Sequence, residues 1–470
     1  MSKGQLERVA MPEQRAEARI TNFKEVAMGY TGDQAMAEAS RCLECKTAPC
    51  VSGCPVNVPI PQFIHALKEG KVGESYELIL KENSFPSICG RVCPQEKQCE
   101  AKCVRGIKGE AVAIGRLERY VADTCQAEKG ASTIETKGQK VAGKGIKVAV
   151  VGSGPAGLAC ASDLAAKNYQ VTLFEALHEL GGVLVYGIPE FRLPKSIVKD
   201  EIEAMTQMGV KVEKNVVVGK SITVEDLMEE GYDAVFVGGG AGLPRFMNIP
   251  GENANGVYSS NEFLTRVNLM KAYKYPETPT PVAIGERVAV VGAGNVAMDC
   301  ARTAKRLGAK EVMIIYRRSE EEIPARLEEV HHAKEEGIIF NLLTNPTKII
   351  EHNGRVEGIV CDRMSLGEPD VSGRRRPLKI EGSDFEMPMD TVIIAVGQSP
   401  NPLIKDTTKA IEVASWGGIL VDDETSETTM ENVYAGGDAV TGAATVILAM
   451  GAGKKAAKAI HEKFGGNLLN

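Results

Sequence analysis

The chain contains two short apolar runs that are each followed directly by glycines. Residues 146–151 and residues 287–291 are rich in Val and Ala, and both have the length of a strand that is buried on two faces. Each run leads into a glycine-rich loop and then into a stretch with the pattern of a helix. Two such units about 140 residues apart predict a duplicated strand–loop–helix arrangement, which is typical of α/β proteins.

The N-terminal part has a different pattern. Between residues 60 and 80, apolar side chains recur near helical spacing at Ile60, Phe63, Ile64, Leu67 and Val72, which predicts helix. Residues 127–145 are polar and rich in Gly and Lys, a composition that is typical of a linker. We therefore expect a helical N-terminal part that is joined by a linker to the two α/β units.

Composition and charge narrow the class of protein. The 470 residues include 43% hydrophobic and 25% charged residues, and the net charge is −7. This mildly acidic balance argues against a general nucleic-acid or anionic-membrane binder. No run of 18 apolar residues occurs, and residues 1–8 contain no apolar secretory segment. The expected location is the cytoplasm.

The cysteines point to metal chemistry in the N-terminal part. The chain has 12 cysteines, and most of them lie between residues 42 and 103. Their spacing is Cys42-x2-Cys45-x4-Cys50-x3-Cys54-Pro, followed by Cys89-x3-Cys93-Pro-x4-Cys99-x3-Cys103. Short spacings bring several thiolates to one centre, and a Cys-Pro set apart from three other cysteines is typical of two-cluster ferredoxins. Two 4Fe–4S clusters are therefore favoured over two zinc sites, and disulfides rank third.

The first glycine loop runs from Gly152 to Gly157 as Gly-Ser-Gly-Pro-Ala-Gly, and the next strand ends at Glu175. The glycines allow a pyrophosphate to approach a helix N-terminus, and Glu175 is placed to accept hydrogen bonds from a ribose. Near the C-terminus another strand ends in Gly437-Asp438, and this aspartate can hold a ribityl hydroxyl. Together these features favour FAD.

The second glycine loop, from Gly292 to Ala297, has the form Gly-x-Gly-x-x-Ala. The strand that follows ends in Arg317-Arg318, where an NAD site would offer an acidic residue. Two guanidinium groups suit a 2′-phosphate, so the sequence favours NADP(H) over NAD(H). The alternative is that both arginines form a solvated surface pair.

With these motifs the chain resembles the family of the small (β) chain of NADPH-dependent glutamate synthase. The same architecture occurs in the large subunit of NADH-dependent ferredoxin:NADP oxidoreductase, in sulfide dehydrogenase and in the N-terminal half of dihydropyrimidine dehydrogenase. The resemblance covers essentially the whole chain. It rests on both cysteine groups and on residues 153–157, 181–194, 292–299, 316–318 and 437–454.

The resemblance implies the cluster ligands. One cluster is implied on Cys42, Cys45, Cys50 and Cys103. The other, nearer the flavin, is implied on Cys54, Cys93, Cys99 and Glu118. In relatives an oxygen ligand from the helix after the last cysteine completes the second cluster. Counting thiols alone would select Cys89 instead of Glu118; we follow the resemblance, which makes Cys89 a neighbour of the cluster.

The resemblance also implies the nucleotide-binding residues. For FAD they are Ser153, Gly154, Ala156, Gly157, Glu175, Gly182, Arg192, Gly437, Asp438, Ala444, Thr445 and Val446. For NADP they are Gly294, Asn295, Val296, Ala297, Arg317, Arg318, Ala395, Val396 and Gly397. No acid–base catalytic residue is expected, because hydride transfer needs none.

The implied fold class is α/β: an α-helical double 4Fe–4S domain, residues 1–139, followed by a two-dinucleotide-binding flavoprotein fold. An FAD-binding domain is split into residues 140–253 and 398–470, and an NADPH-binding domain, residues 254–397, is inserted between them. Two strands that end in glycine, within 233–240 and 390–397, mark the crossings. NADPH is expected to reduce FAD, which then passes electrons singly to the clusters.

Three functions are open at this point. The chain can be the electron-delivery subunit of a glutamate synthase large chain. It can instead be the large subunit of an electron-bifurcating ferredoxin:NADP transhydrogenase, with a small redox subunit and ferredoxin as partners, or a sulfide dehydrogenase-like subunit. The third is non-enzymatic, a zinc-stabilised nucleotide sensor. The first two differ in partner and not in the chemistry of this chain.

Overall fold

The computed structural model describes residues 6–129 and 145–465. Residues 130–144 hold most of the predicted linker and the predicted boundary at 139, which therefore lie outside the described residues. The N-terminal part consists of short helices: α1 (Ala16–Arg19), α2 (Gly32–Ala39), α3 (Pro49–Ser52), α4 (Ile60–Lys68), α5 (Val72–Leu80), α6 (Pro86–Val92) and α7 (Ile114–Lys129). Three 3-10 turns connect α6 with α7: Gln95–Lys97, Glu100–Lys102 and Val104–Ile107.

The apolar stretch 60–80 forms two helices. The helix α4 ends at Lys68 and α5 begins at Val72, and Gly70 between them has a φ of +74°. A left-handed residue at this point reverses the chain, which glycine allows without a steric penalty. The buried faces of α4 and α5 meet α2 and α7 in one apolar core that includes Phe63 and Leu117.

The rest of the chain alternates strands and helices. Residues 145–244 form β1 (Lys147–Val151), α8 (Pro155–Ala166), β2 (Gln170–Glu175), α9 (Val183–Tyr186), α10 (Lys195–Thr206), β3 (Lys211–Lys214), α11 (Val224–Glu229), β4 (Ala234–Val237) and β5 (Leu243–Pro244). Residues 257–399 form β6 (Val257–Ser259), α12 (Ser260–Asn268), β7 (Arg287–Val291), α13 (Asn295–Arg306), β8 (Glu311–Tyr316), α14 (Leu327–Glu335), β9 (Ile339–Leu342), β10 (Thr344–His352), β11 (Arg355–Pro369), β12 (Arg375–Lys379), β13 (Phe385–Pro388), β14 (Thr391–Ile394) and β15 (Gln398–Ser399). The remaining elements are α15 (Leu403–Thr407), β16 (Val433–Ala435), α16 (Asp438–Thr441) and α17 (Val446–Gly465).

Each glycine loop follows a strand of a parallel five-stranded sheet. The first sheet has the order β16-β4-β1-β2-β3, so a strand from near the C-terminus pairs at its edge. The second has the order β6-β14-β7-β8-β9. The short antiparallel pair β5–β15 lies where the chain passes from one sheet to the other and back. The two sheets therefore belong to two units, and the chain crosses from the first unit into the second and later returns to the first.

An antiparallel sheet interrupts the second unit. The strands β10, β11, β12 and β13 lie between β9 and β14 in the chain, and β11 pairs with each of the other three. The part of β11 beyond Met364 pairs with β12 alone and forms a hairpin, residues 364–379. The sequence patterns above did not predict this insertion.

The N-terminal helices are joined to the first sheet by a shared core. Phe85, Ile88, Cys89 and Cys93 from around α6 are buried in the same apolar cluster as residues of β1, α8 and α17. Burying apolar side chains of this size stabilises a structure by about 1.5–3 kcal/mol each. The cysteine-rich part is thus packed directly on the first α/β unit. Within residues 6–129 and 145–465, no helix combines the length and the apolar content that a bilayer span requires.

Buried charges join three parts of the chain. The side chain of Glu336, at the end of α14, is fully buried and accepts hydrogen bonds from Arg19 of α1 at 2.7 Å and from Arg302 and Arg306 of α13 at 2.8 and 2.7 Å. From the first α/β unit, Arg192 pairs with Asp299 at 2.7 Å and with Glu329 at 3.1 Å. We call these residues the interdomain ion-pair cluster: Arg19, Arg192, Asp299, Arg302, Arg306, Glu329 and Glu336.

The neighbouring glutamates Glu335 and Glu336 provide a test of this cluster. Both contact Arg19, but the Glu335 side chain is 57% exposed and the Glu336 side chain is 0% exposed. Replacing Glu336 by Gln leaves buried guanidinium charge uncompensated, which should lower the free energy of unfolding by about 3 kcal/mol. Replacing Glu335 by Gln should cost under about 1 kcal/mol, since exposed pairs contribute little. If urea denaturation shows the same loss of unfolding free energy for both variants, a special role for the buried carboxylate is contradicted.

Candidate functional site

Four cysteines surround a cavity near the surface of the N-terminal part. Cys42, Cys45, Cys50 and Cys103 line this outer cavity, which has an empty volume of about 370 Å³. Apolar side chains and Arg105 complete its wall, and among the apolar ones Leu43 is 48% exposed. The four residues that the resemblance assigns to one cluster are therefore brought together in space.

A second cavity lies deeper, where the N-terminal helices meet the first α/β unit. Cys54, Cys89, Cys93, Cys99 and Glu118 line this inner cavity, which has an empty volume of about 350 Å³. The predicted ligand Glu118 and the excluded thiol of Cys89 both face it, so location alone does not separate them. Their assignment stays a prediction.

Close packing of α6 against α7 places these side chains opposite one another. A side chain on Gly90 of α6 would meet the backbone of Arg119 at 2.8 Å, so only glycine permits this contact. Cys89 precedes this glycine, and Glu118 precedes Arg119. The Nδ2 of Asn83, just before α6, donates a hydrogen bond to Oε1 of Glu118 at 2.6 Å. The sequence analysis missed Asn83, because nothing in the local pattern links it to Glu118, which lies much later in the chain.

Burial favours the protonated forms of these groups. It raises the pKa of Glu118 to about 7, against the opposing effect of the Asn83 hydrogen bond. It raises the pKa of Cys50 to about 11 and also raises that of Cys54. A bound cation reverses this preference, because a thiol or carboxyl that coordinates metal loses its proton.

The two cavities share a wall. Ile60 and Ile114 line both of them, so they lie back to back. In the described part of the chain, no group of three or more His, Cys, Asp or Glu side chains has the geometry to hold a metal ion.

The first glycine loop lies between β1 and α8 and has the form of a nucleotide cradle. A side chain on Gly157 would meet the carbonyl oxygen of Gly152 at 1.9 Å, so helix and loop touch there. Gly154, in contrast, faces open space, with no atom within 4 Å of a built Cβ. The backbone amide of Ser153 donates to the Glu175 carboxylate at 2.9 Å, which brings the end of β2 to the loop. This arrangement leaves room for a pyrophosphate at the start of α8.

Residues from two other segments approach this cradle. Gly182 lies close to it, since a Cβ there would be 2.9 Å from the Cα of Gly154. A Cβ on Gly437 would likewise be 2.9 Å from the Cβ of Ala156. The carboxylate of Asp438 accepts a hydrogen bond from the amide of Ala444 at 3.2 Å, and burial raises its pKa. Thr445 and Val446 follow at the start of α17, and Ile447 next to them lines the inner cavity.

The second glycine loop repeats the cradle between β7 and α13. A side chain on Gly292 would meet the carbonyl oxygen of Ala395 at 2.3 Å, which brings the 395–397 turn against the loop. Gly294 faces open space. The Asn295 side chain accepts a hydrogen bond from the amide of Arg326 at 2.8 Å. Val296 and Ala297 continue the first turn of α13.

The three predicted arginines have unlike surroundings. Arg192 uses its guanidinium in the interdomain ion-pair cluster, so the contact that the structure gives it is to the second α/β unit. Arg317 is exposed at the end of β8, whereas Arg318 beside it is buried. The roles of all three toward nucleotides stay predictions. Asp299 and Glu329, the partners of Arg192, were not identified from the sequence.

Comparisons with known proteins agree with these features. Residues 19–130 match the family model described as dihydropyrimidine dehydrogenase domain II, 4Fe-4S cluster, and residues 146–458 match that of pyridine nucleotide-disulphide oxidoreductase. The chain is 38% identical to the glutamate synthase (NADPH) small chain of Escherichia coli (strain K12) over 97% of both chains. It is 41% identical to the NADP(+)-dependent formate dehydrogenase subunit beta of Moorella thermoacetica, over 88% of this chain and 60% of that one.

Among solved structures, FprA of Mycobacterium tuberculosis in complex with NADPH is similar, with a TM-score of 0.58 and 22% identity over 68% of this chain and 85% of that chain. This likeness supports the fold. The predicted fold class, a helical iron–sulfur domain followed by a two-dinucleotide-binding flavoprotein fold, is confirmed. The chain therefore belongs to the glutamate synthase (NADPH) small-chain family and is an iron–sulfur flavoprotein oxidoreductase that uses FAD, NADP and 4Fe–4S chemistry.

Proposed function

We propose that this chain is an electron-delivery subunit that takes electrons from NADPH and passes them through FAD and two 4Fe–4S clusters to a partner redox subunit. The observation that carries the proposal is the order of the sites. Val446, predicted at the flavin, adjoins Ile447 in the wall of the inner cavity, which in turn shares Ile60 with the outer cavity. The outer cavity lies next to the exposed Leu43. The sites therefore follow one another from the first nucleotide cradle, through the inner and outer cavities, to the surface.

The residues present fit the groups that the family uses. Bound FAD would accept a hydride from NADPH and release electrons one at a time to iron–sulfur centres. Gly154 and Gly294 leave the open backbone that two pyrophosphates need, and Glu175 and Asp438 offer carboxylates to hydroxyl groups. The thiols of each cavity supply the soft ligands that iron–sulfur clusters need.

The partner is a second redox chain. The named relatives are a small chain and a beta subunit, so proteins of this kind work within larger assemblies. We propose the large chain of a glutamate synthase as the partner. Purification from the native source decides this point: a very large co-purifying synthase chain supports it. A smaller flavoprotein subunit would instead assign the chain to a ferredoxin:NADP transhydrogenase.

Arg317 and Arg318 are proposed to bind the 2′-phosphate of NADPH. Replacing both by Ala removes a bidentate charged contact, which should cost about 2 kcal/mol and raise the KM for NADPH roughly 30-fold. The content of bound FAD should not change, because the first cradle lies on the other sheet. Arg266→Ala, an exposed arginine on α12 of the same unit, is the matched control. An unchanged KM for NADPH in the double variant would refute the assignment.

Glu118 is proposed as the fourth ligand of the inner cluster, with Cys89 beside it. Glu118→Ala should labilise or shift one cluster only, because the outer cavity has four cysteines of its own. Cys89→Ser should keep the iron content of the native protein. Iron quantitation and EPR of the reduced variants provide the measurement. Loss of a cluster in the Cys89 variant, with unaltered spectra in the Glu118 variant, would reverse the assignment.

A further inference from the structure

The buried Arg318 is held by the hairpin of residues 364–379. Its side chain is 6% exposed. Its Nε donates to the carbonyl oxygen of Arg375 at 2.8 Å, and its Nη2 donates to Oδ2 of Asp370 at 2.6 Å. Both acceptors belong to the hairpin, which lies about 50 residues beyond Arg318 in the chain. Its exposed neighbour Arg317 has no such support from the hairpin among the described hydrogen bonds.

The turn of the hairpin fixes the carboxylate of Asp370. Its Oδ1 accepts hydrogen bonds from the amide of Ser372 at 2.8 Å and from the hydroxyl of Ser372. The backbone closes the same turn, since the amide of Asp370 donates to the carbonyl oxygen of Arg374 at 2.8 Å. The Ser372 hydrogen bonds and the charge of Arg318 hold the pKa of Asp370 at about 2. An ionised oxygen, Oδ2, is therefore presented to Arg318 in one orientation.

The hairpin also neutralises the charge of two acidic residues that lie close to Arg317 and Arg318 in the chain. Glu321 and Glu322 follow the end of β8, where their charges would oppose an incoming phosphate. Arg375 pairs with both of them, at 2.7 Å for Glu321 and at shorter range for Glu322. Arg375 of β12 thus has two roles. Its carbonyl oxygen accepts a hydrogen bond from Arg318, and its guanidinium neutralises the two glutamates.

These contacts orient the guanidinium of Arg318. A guanidinium carries five N–H groups in one plane, and two contacts along the Nε–Nη2 edge fix that plane. The edge formed by Nη1 and Nη2 is the one that a phosphate can take bidentately. A free arginine side chain has many rotamers, and a side chain ordered in advance loses less conformational entropy on binding.

We propose that Asp370 is a positioning residue for the 2′-phosphate, and that the 364–379 hairpin thereby sets the preference of the enzyme for NADP(H) over NAD(H). The inference rests on the proposed function of Arg317 and Arg318 in binding this phosphate. Asp370 touches the arginine and not the nucleotide. Its effect should therefore be confined to ligands that carry the 2′-phosphate.

Binding of NADP+ and of NAD+ to the purified holoenzyme, measured by calorimetry, tests the proposal. Asp370→Ala should raise the Kd for NADP+ about tenfold, because Arg318 must then be ordered on binding. The Kd for NAD+ should not change. Asp370→Asn keeps an oxygen acceptor and should restore binding of NADP+ close to the native value. Asp384→Ala, an exposed aspartate between β12 and β13, is the control and should bind both nucleotides as the native protein does.

Arg318→Ala separates this proposal from the proposed function. If Arg318→Ala weakens NADP+ binding and the added Asp370→Ala has no further effect, Asp370 acts through Arg318 as proposed. If Arg318→Ala weakens binding but Asp370→Ala alone leaves it unchanged or tightens it, the positioning role is refuted and the phosphate site stands. Equal weakening of NADP+ and NAD+ by Asp370→Ala would also refute it, as general damage to the fold. If neither Arg318→Ala nor Arg317→Ala weakens NADP+ binding, the phosphate site itself is wrong.

Discussion

Three parts of the chain meet at a group of buried charges, and these charges must neutralise one another. The relative placement of the three parts depends on this constraint. Glu336 is paired with Arg19, Arg302 and Arg306, and these residues come from α1 and from α13. Burial would raise the pKa of Glu329, but Arg192 and Arg302 outweigh it and hold this pKa at about 2. Separating the parts would expose unpaired charges in a poorly solvated region, which is costly. The two α/β units and the N-terminal segment are therefore held in one relative placement.

Electron transfer depends on that placement. The nucleotide cradles lie on different sheets, whereas the cysteine cavities belong to the N-terminal helices. Phe191 shows how closely these parts meet, since its ring lies 3.9 Å from the guanidinium carbon of Arg306 and also contacts Phe23 of the N-terminal segment. Redox groups that exchange electrons need fixed distances, and the buried contacts between these parts set such distances.

The sequence predicted what is encoded locally. Strands β1 and β7 and their glycine loops were predicted within a residue, because apolar runs and glycines repeat at short range. The grouping of cysteines was also readable, since each cavity takes most of its thiols from nearby turns. The partners of Arg192 and Arg318, namely Asp299 and Asp370, could not be predicted. They are distant in the chain, and only the packing of separate units brings them together.

The short helix α3 has a consequence for how metal centres are assembled. Cys50 within it lines the outer cavity, and Cys54 just beyond its end lines the inner one. With the proposed ligand set, a cluster bound by Cys50 would fix the position of this helix and, with it, the position of Cys54 at the other cavity. The conformational entropy that is lost when this segment is ordered is then a single cost that both sites share. With the proposed ligand set, filling one cavity would lower the entropic cost of filling the other, whichever is filled first.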